Sequence, residues 1–184
     1  MPKLHVFNQV TLDGYFAGPN GDLGWAHKQD PEWDKFVAGN AQGGGTLLFG
    51  RITYEMMVAF WPTPAAAKAF PAVAEGMNNA QKVVFSRTLD KASWKNTRLV
   101  KDGMAAEVRK MKSQPGKDMT ILGSGKIISQ LASEGLIDEY SIVVNPIALG
   151  KGRTMFEGVK APVNLKRTST REFKNGNILT VYSA

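Results

Sequence analysis

The sequence predicts an α/β domain. Its core is one central, mostly parallel sheet with helices on both faces and an antiparallel hairpin at the C-terminus. Three observations lead there. Short apolar, strand-like runs alternate with segments of helical period along most of the chain. Two of those runs end in glycine directly before a helix start, at Gly50 and at Gly123-Ser124-Gly125. Near the end, Asn175-Gly176 separates two further strand-like runs, a strong hairpin signal. The 184 residues suit one domain spanning 1–184, with no internal repeat, low-complexity tract or linker.

Taken in order, Leu4 to Val10 reads as a first strand. The stretch Thr11 to Gly21 follows as a long loop, with turn signals at Asp13-Gly14 and Pro19-Asn20-Gly21. Asp30-Pro31 reads as an N-cap and first helical residue, opening a helix to about Asn40. Gly43 to Gly45 breaks the chain before a buried strand at Thr46–Gly50. A helix then runs through Tyr54 to Phe60, ending at Trp61-Pro62, and the alanine-rich stretch predicts one more helix over 65–75. Strands are expected at 81–88 and, weakly, at 96–100, and a helix at 104–112. The run Thr120 to Gly135 reads as strand, tight turn and helix, with Gly135 as its stop. A strand at 137–146, a basic glycine-broken loop at 149–158, and a hairpin of 163–174 with 177–183 complete the chain.

Composition narrows the function classes. The balance is 43% hydrophobic and 21% charged, as in ordinary globular domains. No run reaches the ~18 apolar residues of a membrane span, and no signal peptide is evident at Met1 to Phe7, so a cytoplasmic location is expected. The absence of cysteine excludes disulfides, thiolate metal sites and cysteine nucleophiles. His5 and His27 are the sole histidines, so no metal site is expected. The net charge of +7 and pI of about 9.6 fit either a nucleic-acid surface or attraction of a phosphorylated small molecule. The basic residues are scattered, without an arginine-rich tract or RNP motif, which favours the small anion.

Three strand ends carry anion-friendly residues. Gly123, Ser124, Gly125 and Lys126 combine a bendable turn, a helix start and a cation. Gly50, Arg51 and Thr53 repeat the theme, with Thr53 equally suited to plain capping. Ser86 and Arg87 place a hydroxyl beside a guanidinium, which suits the 2′-phosphate of NADPH. Open α/β sheets gather such ends on one edge, and three of them suit a dinucleotide. The Gly-Lys pair is followed by Ile127, so this is not a Walker loop. Asp13 and Tyr15, in the first loop, and Trp33 on the first helix are candidate substrate contacts, with a turn or packing role as the alternative for each. Asp34 flanks the apolar stripe of Trp33, Phe36 and Val37 and is the candidate proton donor, against the alternative of a solvated acid.

The ordered set Thr11-Leu-Asp-Gly-Tyr, Leu47-Leu-Phe-Gly-Arg-Ile-Thr-Tyr-Glu, Val83-Val-Phe-Ser-Arg, Ile121-Leu-Gly-Ser-Gly, Ile137-Asp-Glu-Tyr and Pro146-Ile-Ala-Leu-Gly-Lys-Gly spans nearly the whole chain. It resembles the dihydrofolate-reductase-like proteins, in particular stand-alone relatives of the riboflavin-biosynthesis reductase domain. The resemblance implies an NADPH-binding reductase fold, commonly a homodimer. It implies that Gly50, Arg51 and Thr53 meet cofactor phosphates and that Ser86 and Arg87 hold the 2′-phosphate. Leu122 and Gly123 to Lys126 would lie under the pyrophosphate and nicotinamide side, with Phe16 and Ala17 against the nicotinamide. The zinc deaminase half of the bifunctional riboflavin enzymes has no counterpart here. In dihydrofolate reductases a helix acid supports protonation, and Asp34 stands near that position, in a register blurred by Gly43-Gly44-Gly45. The expected function is NADPH-dependent hydride transfer to a small pterin- or pyrimidine-like heterocycle or a carbonyl compound. The alternative is a non-catalytic, homodimeric nucleotide-binding module of the same fold. Neither nucleic acid nor membrane is an expected partner.

Overall fold

A computed structural model describes residues 1–26 and 30–184, and His27 lies outside it. In chain order the elements are β1 (Leu4–Thr11), β2 (Tyr15–Ala17), α1 (Pro31–Gln42), β3 (Thr46–Gly50), α2 (Arg51–Phe60), α3 (Pro64–Ala69) and α4 (Pro71–Asn79). There follow β4 (Gln81–Phe85), β5 (Thr97–Val100), α5 (Met104–Ser113), β6 (Met119–Leu122), α6 (Gly125–Ser133), β7 (Glu139–Asn145), β8 (Arg153–Thr154), β9 (Lys166–Glu172) and β10 (Ile178–Ser183).

Eight strands form one sheet in the order β5-β4-β3-β6-β1-β7-β10-β9. The six from β5 to β7 run parallel, and β10 and β9 close the far side antiparallel. The α/β architecture with its C-terminal hairpin is therefore as expected. Alternation within β1 divides the core. Leu4, Val6 and Val10 join the α5 and α6 side with Val108, Ile128 and Leu131. Phe7 points to the other face, where Trp33, Val143, Phe173 and Leu179 pack. On that same side Phe49 and Val84 meet Tyr54 of α2 and Met77 of α4. Period-two alternation in the strands thus puts helices on both faces.

Two expectations need correction. The single helix over 65–75 is two helices, α3 and α4, broken at Phe70. Phe70 precedes Pro71, whose ring drives its predecessor out of helical geometry; it sits at φ −139°, ψ 63°. The strand at 81–88 stops at Phe85, because the Ser86 hydroxyl accepts from the N–H groups of Thr88 and Leu89 and turns the chain. A feature not foreseen is the small sheet of β2 with β8, which joins the first loop to the basic loop.

Candidate functional site

The C-terminal ends of the parallel strands open into a cleft of about 1910 Å³. It runs from the ends of β3, β4, β5 and β6, past β1, to the side covered by α1. Its walls are set by how three helices begin. Gly50 ends β3 and serves as N-cap of α2; Gly103, at φ +70°, does so for α5; Ser124, at φ +59°, does so for α6. None of the three has a side-chain cap hydrogen bond. Elsewhere, Asp30 caps α1 and Thr63 caps α3 in the ordinary way. Helix α4 also lacks a cap, but begins with Pro71, which has no N–H to satisfy. The first turns of α2, α5 and α6 all line the cleft, so open backbone donors and positive helix ends converge on it.

Two consecutive left-handed residues shape the α6 start. Gly123 and Ser124 both lie near φ +59°. The Ser124 hydroxyl accepts from the Gly50 N–H at 3.0 Å and lies 2.9 Å from the Thr53 hydroxyl. The turns at β3–α2 and β6–α6 are thereby tied together. Ser124 and Thr53 both line the cleft, and the Ser124 proton is directed to the Thr53 oxygen, which leaves the Thr53 O–H and the backbone N–H groups for an anion. Gly125 lies under the ring of Phe16: a β-carbon there would sit 2.7 Å from the ring edge. The first loop therefore folds onto the α6 start, with Phe16 and Ala17 both in the cleft wall.

The charged candidates reach the cleft from its rim. Arg51 lines it while its guanidinium pairs with Glu55 one turn on, at 3.0 Å. Ser86 and Arg87 line it at the end of β4, and the Arg87 Nε donates to Asp102 at 2.9 Å. Lys126 stands exposed at the mouth, and Leu122 forms part of the floor. All twelve expected cofactor residues thus face one cleft.

The substrate and catalytic candidates do not. Trp33 is 5% exposed, its ring edge-on to Phe173 at 5.1 Å; it is a core residue. Asp34 is exposed and lies outside the cleft wall, where α1 instead presents Val37, Asn40 and Ala41. The expectation that Asp34 supplies a proton loses its geometric basis. Asp13 clasps two loops: its carboxylate accepts from the Thr11 hydroxyl and from the N–H groups of Leu149 and Gly150. The Thr11 hydrogen bond, then that of Gly150, holds its carboxyl below the usual range. Tyr15 belongs to β2 and packs over Gly152. Neither Asp13 nor Tyr15 lines the cleft.

Other residues take those places. Trp25, Gln9, Asn40 and Trp61 line the half of the cleft beside α1. Gln9 was within reach of sequence reading, since it shares the alternating face of Phe7. Asn40 carries no such signal. Asn8 lies in the wall with its amide nitrogen buried and without a hydrogen-bond partner among the described residues. No cluster of three or more metal-binding side chains occurs among the described residues, nor is any described helix long and apolar enough to cross a membrane.

Comparison with known proteins matches this build. The family model of the RibD C-terminal domain aligns with residues 2–179. The chain belongs to the RibD C-terminal domain family. Two curated relatives are from Bacillus subtilis (strain 168). YyaP is 31% identical over 173 residues, covering 94% of this chain and 90% of that protein. YwjB is 25% identical over 171 residues, covering 93% and 92%. Among solved structures, a putative riboflavin biosynthesis protein from Shewanella sp. PV-4 superposes with a TM-score of 0.74 at 22% identity, covering 98% of both chains. The deaminase/reductase of Thermotoga maritima, a diaminohydroxyphosphoribosylaminopyrimidine deaminase and 5-amino-6-(5-phosphoribosylamino)uracil reductase, gives 0.68 at 18%, with 99% of this chain on 56% of that one. At these identities the structural likeness shows the fold alone.

Proposed function

We propose that the cleft binds NADPH and serves hydride transfer to a small planar heterocycle or carbonyl compound. One observation carries the reading: α2, α5 and α6 begin at one cleft, and none has a side-chain cap. Each start favours an anion, and a dinucleotide with a 2′-phosphate brings three phosphates. The residues fit that group. Gly50, Gly123 and Gly125 let the two turns and Phe16 pack closely at the cleft wall, and Arg51, Arg87 and Lys126 supply charge at the rim. Bound there, NADPH would supply the hydride.

The chain's own residues then bind and orient. Phe16 and Ala17 cover the α6 start and exclude water from it. Beside α1, Trp25 and Trp61 offer flat apolar surface, and the amides of Gln9 and Asn40 can pair with ring N–H and carbonyl groups. Family membership and the reductase-like fold support this half of the reading. Titration with NADPH, followed by its oxidation against a panel of pyrimidines, pterins and carbonyl compounds, tests it. Binding with no turnover on any panel member would favour the nucleotide-binding module instead. Absence of NADPH binding would sink both.

A homodimer belongs to the same proposal. Ile52, Met56, Phe60 and Phe70 leave an exposed apolar patch, with the rings of Phe60, Trp61 and Phe70 5.1–6.4 Å apart. Light scattering is expected to give about twice the monomer mass; a monomer at all concentrations would remove that part.

A further inference from the structure

We propose that Asp102 sets the cofactor preference of the cleft by competing for Arg87, an inference that rests on the dinucleotide reading above. Arg87 stands just past the end of β4, and Asp102 just past the end of β5. These strands are parallel neighbours, Phe85 lying beside Val100. Their register brings the two side chains together at the cleft rim. The Arg87 Nε donates to the Asp102 carboxylate at 2.9 Å. Both residues line the cleft.

The pair does little for the fold. Its side chains are 83% and 74% exposed, and an ion pair so open to water contributes little to stability. It differs from the pair of Arg51 with Glu55, which lies within a single helix turn. Arg87 and Asp102 come from different strands. The turn of Ser86 on one side and left-handed Gly103 on the other direct them to one place. The chain thus sets an acid against the Arg87 guanidinium at that corner.

The consequence is chemical selectivity. Asp102 takes the Arg87 Nε, so a 2′-phosphate on the remaining guanidinium N–H groups shares one cation with that carboxylate, and the two like charges repel. A plain ribose 2′-hydroxyl meets no such conflict and can donate to the same carboxylate. Asp102 therefore weakens NADPH and favours NADH relative to a cleft holding Arg87 alone. The preference between the two cofactors is narrower than the arginine by itself would give.

The test is fluorescence titration of the full chain and its variants with NADPH, NADH and 2′,5′-ADP. Asp102→Asn is expected to tighten NADPH and 2′,5′-ADP by about two- to five-fold, the range open to an exposed charge pair. NADH should stay the same or weaken. Arg87→Ala should weaken NADPH, and in that background Asp102→Asn should give no gain. Thermal melts of each variant check the fold, which exposed residues leave intact. If the native chain binds NADPH and Arg87→Ala weakens it, yet Asp102→Asn changes nothing, the proposal fails and the dinucleotide reading stands. If the native chain binds none of the three ligands, the reading itself fails and takes the proposal with it.

Discussion

Lys82 begins the buried part of β4 with its side chain 1% exposed, among the least expected places for an ammonium. The main chain explains it. Its Nζ donates to the carbonyls of Met77, Asn78 and Ala80, which end α4, and lies 4.4 Å from the centroid of the Trp94 ring. The lysine thus satisfies helix carbonyls that would otherwise be orphaned. Burial, and then the charge of Lys95, push its pKa down from 10.5 to about 8. Between those values the unfolded chain binds more protons than the folded one, so stability rises with pH across that window. The penalty is full below pH 8 and lifts as pH climbs. Urea unfolding at pH 7.5 and 9.5 should show a gain in the native chain that is absent in Lys82→Met; equal slopes in both would remove this account. The same residue scale shows where sequence reading stops. Trp33, Phe36 and Val37 announce an apolar helix stripe, and the stripe is real. Nothing in the spacing says whether it faces a core or a ligand. Only the arrival of Phe173 and Leu179, some 140 residues later, makes Trp33 core.

At the scale of elements, close approach and loop ties decide what moves. Helix α1 crosses α4 so tightly that a β-carbon on Gly76 would overlap the Ala41 carbonyl. Gly76→Ala must push two backbones apart, and chemical denaturation should show a loss of about 1–3 kcal/mol, even though alanine is the better helix former. A neutral result would mean that the crossing can relax. The first loop is governed by Asp13 rather than by a ligand. Its contacts with Leu149 and Gly150 hold the β2 and β8 loops as one flap over the α6 start. Asp13→Ala should speed amide exchange at those two residues while leaving β1 protected. Because the folded carboxyl titrates below its ordinary value of 3.8, the clasp holds above the unfolded pKa and is lost as pH falls through the folded one. This flap was invisible in sequence, since strands of two and three residues carry no period. The Asn175-Gly176 hairpin was legible because its signal is local. The break at Phe70 was also legible, in Pro71, but alanine content outweighed it.

Across the whole molecule, the sheet order brings together turns that are far apart in sequence. The chain bears +7 net charge, yet what distinguishes the cleft is backbone. Gly50, Gly103 and Ser124 end up on one edge because β3, β5 and β6 all run the same way. Two of these turns were readable as glycine-broken helix starts. The one at Gly103 was not, because its strand is short and weak. Their convergence makes a prediction that no single residue makes. On adding NADPH, amides in the first turns of α2, α5 and α6 should slow together in hydrogen exchange. The starts of α1 and α3, already closed by Asp30 and Thr63, should not change. At a ligand concentration 100 times Kd the fold should gain about 2.7 kcal/mol, seen as a higher melting temperature. High salt should shrink that gain, since charge at the rim contributes to it. Slowing confined to α2 and α6 would leave a pyrophosphate seat and remove α5, and with it the Arg87 corner, from the site.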